Sequence, residues 1–214
     1  MALPYKDRVE AARVLAGLLR EYENRPGVLV LGLPRGGVPV ADEVARALGA
    51  PWDILIVRKL GMPDQEELAM GAIATGGVRI MNRPLARRVP EEAVEQEVEQ
   101  ERRELDRRER AYRGERPFPE IEGRCVILVD DGLASGFTMR VCIEALRNMG
   151  ADSLIVAVPT SHDHTVADIA RLADAVFCAN IRGGGWFAVA DAYQHWSDIG
   201  EDEVMNMLEQ EKHR

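Results

Sequence analysis

The chain is poor in several things, and each shortage excludes a class of protein. Aromatic residues are 5% of its 214 positions, so any cluster of them stands out. Cys125, Cys142 and Cys178 are odd in number and widely spaced, which argues against a disulfide framework. They share no metal-ligand spacing, and the four histidines do not form a zinc set. Free thiols in a reducing cytoplasm are the simplest expectation. No apolar run approaches the ~20 residues of a membrane span, and the opening MALPYKDRVE has no apolar signal core. Positive charge is in deficit: the net charge is −9, which disfavours nucleic acid or an anionic membrane as partner. Lysine is scarcer still, at three positions (Lys6, Lys59, Lys212) against 24 arginines.

What is present suits one soluble domain spanning 1–214 with a sizeable core, at 46% hydrophobic and 29% charged residues. Residues 5–23 carry Val9, Ala12, Leu15, Ala16 and Leu19 at helical spacing. GVLVLGL (27–33) reads as a buried strand, VPVADEVARALGA (38–50) as a helix closed by Gly49, and DILIVRK (53–59) as a second strand. LGMPDQEEL (60–68) reads as a polar connector, followed by two short strands around Gly76-Gly77. Residues 90–113 form the longest helical pattern. Glutamates crowd its first half and arginines its second, and pairs such as Glu104–Arg108 have the favourable i, i+4 order. Strand 124–130, helix 137–149, strand 153–158, helix 163–172, strand 174–178 and a final helix 201–211 follow. Such alternation predicts an α/β fold with a mostly parallel central sheet flanked by helices.

One stretch concentrates the chemistry. VILVDDGLASGFTMR (126–140) is an apolar strand, an acidic pair, a loop of small residues and a helix start. Ligands of open α/β sheets bind at the carboxyl ends of strands, where Asp130 and Asp131 fall. Backbone N–H groups of Ala134-Ser135-Gly136-Phe137-Thr138, at a helix N-terminus, favour a phosphate. Gly136 permits close approach, and Ser135 and Thr138 offer hydroxyls. Carboxylates would repel that phosphate unless they face another group, and a vicinal diol fits. A sugar phosphate therefore accounts for both halves. Two plainer readings compete with it: a tight glycine turn, and an acidic helix cap. Neither a Walker A loop nor G-x-G-x-x-G is present.

VILVDDGLASGFT resembles the phosphoribosyl-diphosphate (PRPP) signature of type I phosphoribosyltransferases. The resemblance covers most of the chain and is nearest to an uncharacterised bacterial and archaeal group with a long helix before the motif. It implies a core at about 25–180, a small hood from the N- and C-terminal segments, and a long inserted helix. Carried over, Asp130 and Asp131 hold the ribose hydroxyls. Gly132 and Ala134 to Thr138 hold the 5′-phosphate, with Ser135 where threonine is commoner. Leu33-Pro34-Arg35-Gly36-Gly37 matches the pyrophosphate loop, with a cis non-proline peptide expected at Arg35–Gly36. Arg58 and Lys59 would meet pyrophosphate, and 60–68 would be the mobile catalytic loop. Taken alone, those two basic residues read better as a solvated strand end; within this pattern they read as part of the site.

The implied reaction displaces pyrophosphate from Mg²⁺-bound PRPP with a nitrogen nucleophile, typically of a nucleobase, within nucleotide metabolism. Arg35, Arg58, Lys59, Asp130 and Asp131 form the expected catalytic set, with Asp130 and Asp131 as candidate partners of the metal. The alternative is a regulatory protein that binds PRPP without turnover. Enzymes of this family acting on 6-oxopurines usually carry an acid where Ala134 stands and a lysine near the end of the next strand, where this chain has AVPTSHD. Both absences argue against that acceptor. Trp186 and Phe187, in an aromatic-rich 183–200, are candidates to stack on the acceptor, or else to pack under the last helix. His162 and His164 follow a strand's carboxyl end and could line the site, but histidines in a polar loop are more often solvated, so both are left outside the catalytic set. A cytoplasmic homodimer is expected on resemblance.

Overall fold

A computed structural model describes residues 4–63, 65–185 and 187–212. In chain order the elements are α1 (Arg8–Leu18), β1 (Val28–Gly32), α2 (Gly37–Leu48), β2 (Trp52–Ile54), β3 (Val57–Met62), β4 (Gln65–Ala74), β5 (Val78–Met81), α3 (Arg83–Ala86), α4 (Glu91–Arg113), β6 (Cys125–Val129), α5 (Phe137–Asn148), β7 (Ser153–His162), α6 (Asp163–Ile169), β8 (Ala175–Arg182) and α7 (Glu201–Lys212).

Five strands form a parallel sheet in the order β2-β1-β6-β7-β8. Both its faces are covered, which is why the strands read as unbroken apolar runs rather than alternating ones. Successive residues nonetheless go to opposite sides. Val28, Val30, Ile127 and Val129 join one core with α1, α2, α4 and α7, while Leu29, Leu31, Val126 and Leu128 join another with α5 and α6. β3, β4 and β5 form a second, antiparallel sheet held between α4 and α5.

The strand order sets the position of the site. The crossover from β1 through α2 adds β2 on one side, whereas β6 through α5 and β7 through α6 build outward on the other. The order reverses between the neighbours β1 and β6, and the loops leaving their carboxyl ends diverge into a crevice there. Segments about a hundred residues apart in sequence meet as a result.

Several expectations need correction. Residues 5–23 are not one helix: α1 ends at Leu18 and a short 3-10 turn, Arg20–Tyr22, follows. Its buried face is Arg8, Ala11, Ala12, Leu15 and Ala16, and Val9 is exposed. The expected strand 53–59 is two strands in different sheets. Leu55 N–H donates to Gly32 O (3.1 Å) in the large sheet, and the next residue, Ile56, donates to Thr75 Oγ1 (3.1 Å) in the small one. A continuous apolar run hides this handover because both environments are dry. The connector 60–68 is largely paired: β3 and β4 form a hairpin from Val57↔Ala74 to Met62↔Gln65, with register shifts around Gly61. Asp64 lies outside the described residues. β7 and β8 run four residues further than expected, to His162 and Arg182.

Candidate functional site

Two loops meet at the crevice between β1 and β6. Leu33 N–H donates to Val129 O (2.9 Å), extending the β1–β6 ladder by one residue before the chain turns at Pro34. The cis peptide in this turn is Pro34–Arg35, one bond before the expected one. Gly36 and Gly37 then pass against the acidic pair so closely that no side chain fits. A Cβ on Gly36 would stand 1.9 Å from Asp131 Oδ2, and one on Gly37 would stand 2.8 Å from Asp130 Cα. Close approach of backbone to the carboxylates is therefore what the glycine pair permits. Arg35 is exposed at the same turn.

After β6 the chain runs Asp130, Asp131, a buried Gly132, then Ala134 to Thr138. Ala134, Ser135 and Thr138 are exposed. The loop is anchored from beneath by β7 and α6: Leu133 N–H donates to Thr160 O (3.0 Å), and Thr165 Oγ1 donates to Ala134 O (2.8 Å). Gly136 adopts the left-handed conformation (φ 69°) and opens α5. Among the described residues no side chain caps this helix, although Ser135 Oγ lies 3.4 Å from Phe137 N. A twelve-residue helix that opens behind an exposed hydroxyl loop has the geometry that favours an anion.

The acidic pair is electrostatically expensive. Asp131 N–H donates to Asp130 Oδ1 (2.9 Å). Burial, and then the neighbouring Asp131 charge, hold the Asp130 carboxyl well above the usual range. Burial also raises Asp131, but Arg8 opposes it: Nε donates to Asp131 Oδ2 at 3.0 Å, and a terminal guanidinium nitrogen lies 2.9 Å from the same oxygen. Arg8 donates in addition to Ser197 O (2.8 Å) and lies over the Trp196 ring, 3.9 Å from its centroid. The Tyr193 hydroxyl donates to Asp131 O (2.5 Å). Tyr5, beside Tyr193, pairs its backbone with Ala192 and Gln194. The first and last parts of the chain thus close over the acidic pair. Arg8, Tyr193 and Trp196 were missed from sequence, though one signal was available: Arg8 sits three, four and seven residues before Ala11, Ala12 and Leu15, on the apolar face of α1.

The two basic residues of β3 diverge, as successive strand residues must. Lys59 is exposed and its Nζ lies 5.9 Å from the Phe137 ring centroid, at the mouth of the phosphate-loop helix. Arg58 points the other way and pairs with Glu101 of α4 (2.5 Å). It borders an open groove of about 1000 Å³ along α4, lined by glutamates and arginines of that helix. The structure joins Lys59, but not Arg58, to the loops that carry Asp130 and Ser135.

Phe187 is half-buried and stands edge-on to His162, with ring centroids 6.1 Å apart. Trp186 lies outside the described residues. His162 ends β7 and is 7% exposed, and His164 is exposed but lies in α6, so neither is a loop histidine and only His164 is solvated. The reason is the extension of β7 by four residues, which brings His162 into the sheet.

Comparison with known proteins agrees with this architecture. Residues 6–195 match the family model for the phosphoribosyl transferase domain. Two Mycobacterium tuberculosis proteins bearing the name phosphoribosyl transferase, from strains CDC 1551 and H37Rv, are each 41% identical over 207 residues. That covers 96% of this chain and 46% of theirs, so the chain spans about half the length of these relatives. The bifunctional protein PyrR of Corynebacterium diphtheriae is 27% identical over 165 residues, covering 72% of this chain and 69% of that one. Among solved structures, TT1426 from Thermus thermophilus superposes with a TM-score of 0.85 at 34% identity, covering 97% of this chain and 99% of the other.

Proposed function

The chain belongs to the phosphoribosyl transferase domain family, and from that premise we propose that it binds PRPP in the crevice between β1 and β6 and transfers its 5-phosphoribosyl group to a nitrogen acceptor, releasing pyrophosphate. One observation carries the reading: an uncapped helix N-terminus, a carboxylate pair and a glycine turn with an exposed arginine converge on one crevice. Three charge environments suit the three parts of one substrate. The loop 134–138 takes the 5′-phosphate. Asp130 and Asp131 accept hydrogen bonds from the ribose diol. Arg35 and Lys59 face the pyrophosphate, while Arg58 holds α4 against the small sheet.

An all-oxygen donor pair beside a polyphosphate fits Mg²⁺, which Asp130 and Asp131 would help to hold and which would neutralise pyrophosphate charge when bound. The reaction passes through an oxocarbenium-like state, so positioning and charge stabilisation dominate. The Asp130–Asp131 charges lie where positive charge develops on the sugar. Arg35 and Lys59 stabilise negative charge on the departing group. Phe187 is the candidate to stack on the acceptor, and Ala134, exposed where an acid would suggest a 6-oxopurine, leaves another acceptor class favoured.

Calorimetry with Mg-PRPP tests the binding, and pyrophosphate release across a panel of nucleobases and small amines tests the transfer. We expect saturable binding that Asp130→Asn/Asp131→Asn abolishes, and turnover with at least one acceptor. Absent binding by the unmodified chain sinks the proposal. Binding with no turnover across the panel favours a PRPP-responsive regulatory protein instead. A homodimer is proposed with it, and sedimentation at monomer mass would overturn that part.

A further inference from the structure

His162, Asp163 and His164 follow one another where β7 gives way to α6, and their side chains fold onto one point. The His162 and His164 rings stack with centroids 3.8 Å apart. One donor atom from each of the three residues lies within 4.8 Å of the others. His162 Nε2 is 2.8 Å from Gly184 O. A carbonyl oxygen only accepts, so Nε2 carries a proton, and a neutral ring then presents a lone pair at Nδ1. That Nδ1 is buried and makes no hydrogen bond, on a side chain that is more than nine-tenths buried. It faces Asp163 Oδ1 at 2.7 Å, another electron-pair donor, which also accepts from His164 N (2.6 Å). With the ring neutral, two electron-pair donors face each other, and a cation between them satisfies both. A shared proton would satisfy two groups, but it gives no reason for His164 to bring a third donor to the same point.

We propose that His162 Nδ1, the Asp163 carboxylate and a ring nitrogen of His164 form a binding site for a divalent transition ion of the zinc class. Two imidazoles and one carboxylate are the donors such an ion selects, and magnesium, which prefers oxygen alone, is disfavoured. The Nε2–H bond to Gly184 O is the outer contact expected of a ligating histidine: it fixes both tautomer and ring orientation. Three protein donors leave further coordination positions for water or a small ligand. The site stands edge-on to Phe187, yet it rests on its own donor set and does not depend on PRPP being the substrate.

Cobalt(II) serves as probe, added to the chain without a polyhistidine tag and followed by its visible ligand-field absorption and by calorimetry. One ion per chain should bind, displaced by Zn²⁺ and not by excess Mg²⁺. His164→Ala and Asp163→Asn, both at exposed positions, should each weaken Co²⁺ binding by about tenfold or more. Their circular dichroism melts should follow the unmodified chain, and His195→Ala should bind as tightly as that chain. The proposal is overturned if the unmodified chain shows no saturable uptake, or if both site variants bind as tightly as it does; the Nδ1–Oδ1 contact is then a proton-sharing pair.

Discussion

The carboxylates at the end of β6 and those along α4 are the same chemical group in opposite circumstances. Asp130 and Asp131 are desolvated side by side with one guanidinium between them, and both carboxyls are raised. Glu104 lies at the surface between Arg107 and Arg108, whose hydrogen bonds lower its carboxyl to about 2. Glu99 is lowered in the same way by Arg103 and Arg102. Water makes charge cheap on this outer face of α4, where neighbouring arginines of the same helix pair with Glu99 and Glu104. The acidic pair is held in an unfavourable state by the fold, as a site that must meet a polar ligand commonly is. Charge density therefore does not mark function in this chain; charge that is buried and incompletely paired does.

Breaking the Arg8–Asp131 pair should have the largest effect. Both side chains are buried, and Arg8→Ala strands a carboxylate beside Asp130. A loss of about 3 kcal/mol is expected in urea unfolding at neutral pH, together with weaker Mg-PRPP binding. Stability within about 0.5 kcal/mol of the unmodified chain would show that the pair is not held as described.

Asp130→Asn should separate function from stability. PRPP binding should fall while the melting temperature at pH 7 rises, by about 2 °C or more for a chain of this size. The sign follows from the raised carboxyl. The folded state holds its proton to higher pH than the unfolded state, so wild-type stability falls as pH climbs from the unfolded value of 3.8 through the raised folded one. Below 3.8 both states are protonated and the cost disappears, so the advantage of the variant should shrink toward acid pH. A variant that melts lower at pH 7 would contradict this.

Glu104→Gln should show the opposite sign and the smallest size. The lowered carboxyl contributes stability above its ordinary value of 4.5, and that contribution is lost as pH falls toward about 2. At neutral pH the variant should lose less than about 1 kcal/mol, and less again in high salt, with PRPP binding unchanged. An altered PRPP affinity would tie α4 to the site and erase the contrast between the two regions.

Local pattern made much of this legible. The strand, acidic pair, small-residue loop and helix of 126–140 are contiguous, so one short window holds most of the proposed phosphate and ribose site. The glycine turn after β1 was less specific: Pro-Arg-Gly-Gly signals a turn that ends a buried strand, and its role was read only from the resemblance. Arg58 and Lys59 show the limit. As neighbours they read as one basic feature, but a β-strand sends them to opposite faces, one to Glu101 and one to Phe137. The hairpin hidden in 57–74 shows another. Its polar tip looks like a loop until its pairing partner is known.

By itself the sequence determined most of the secondary elements, though not the β3–β4 hairpin, together with their α/β alternation and the residue types at each strand end, because these depend on residues close together in the chain. Only the tertiary structure decided which ends share a crevice. The strand order reverses between β1 and β6, and that reversal is a property of long-range pairing that no local pattern carries. It also decided that Arg8 and Tyr193, from opposite ends of the chain, close over Asp131, and that His162 is buried, bonded to Gly184 O and edge-on to Phe187. The physical reason is the same in each case: burial and charge pairing are set by what is near in space.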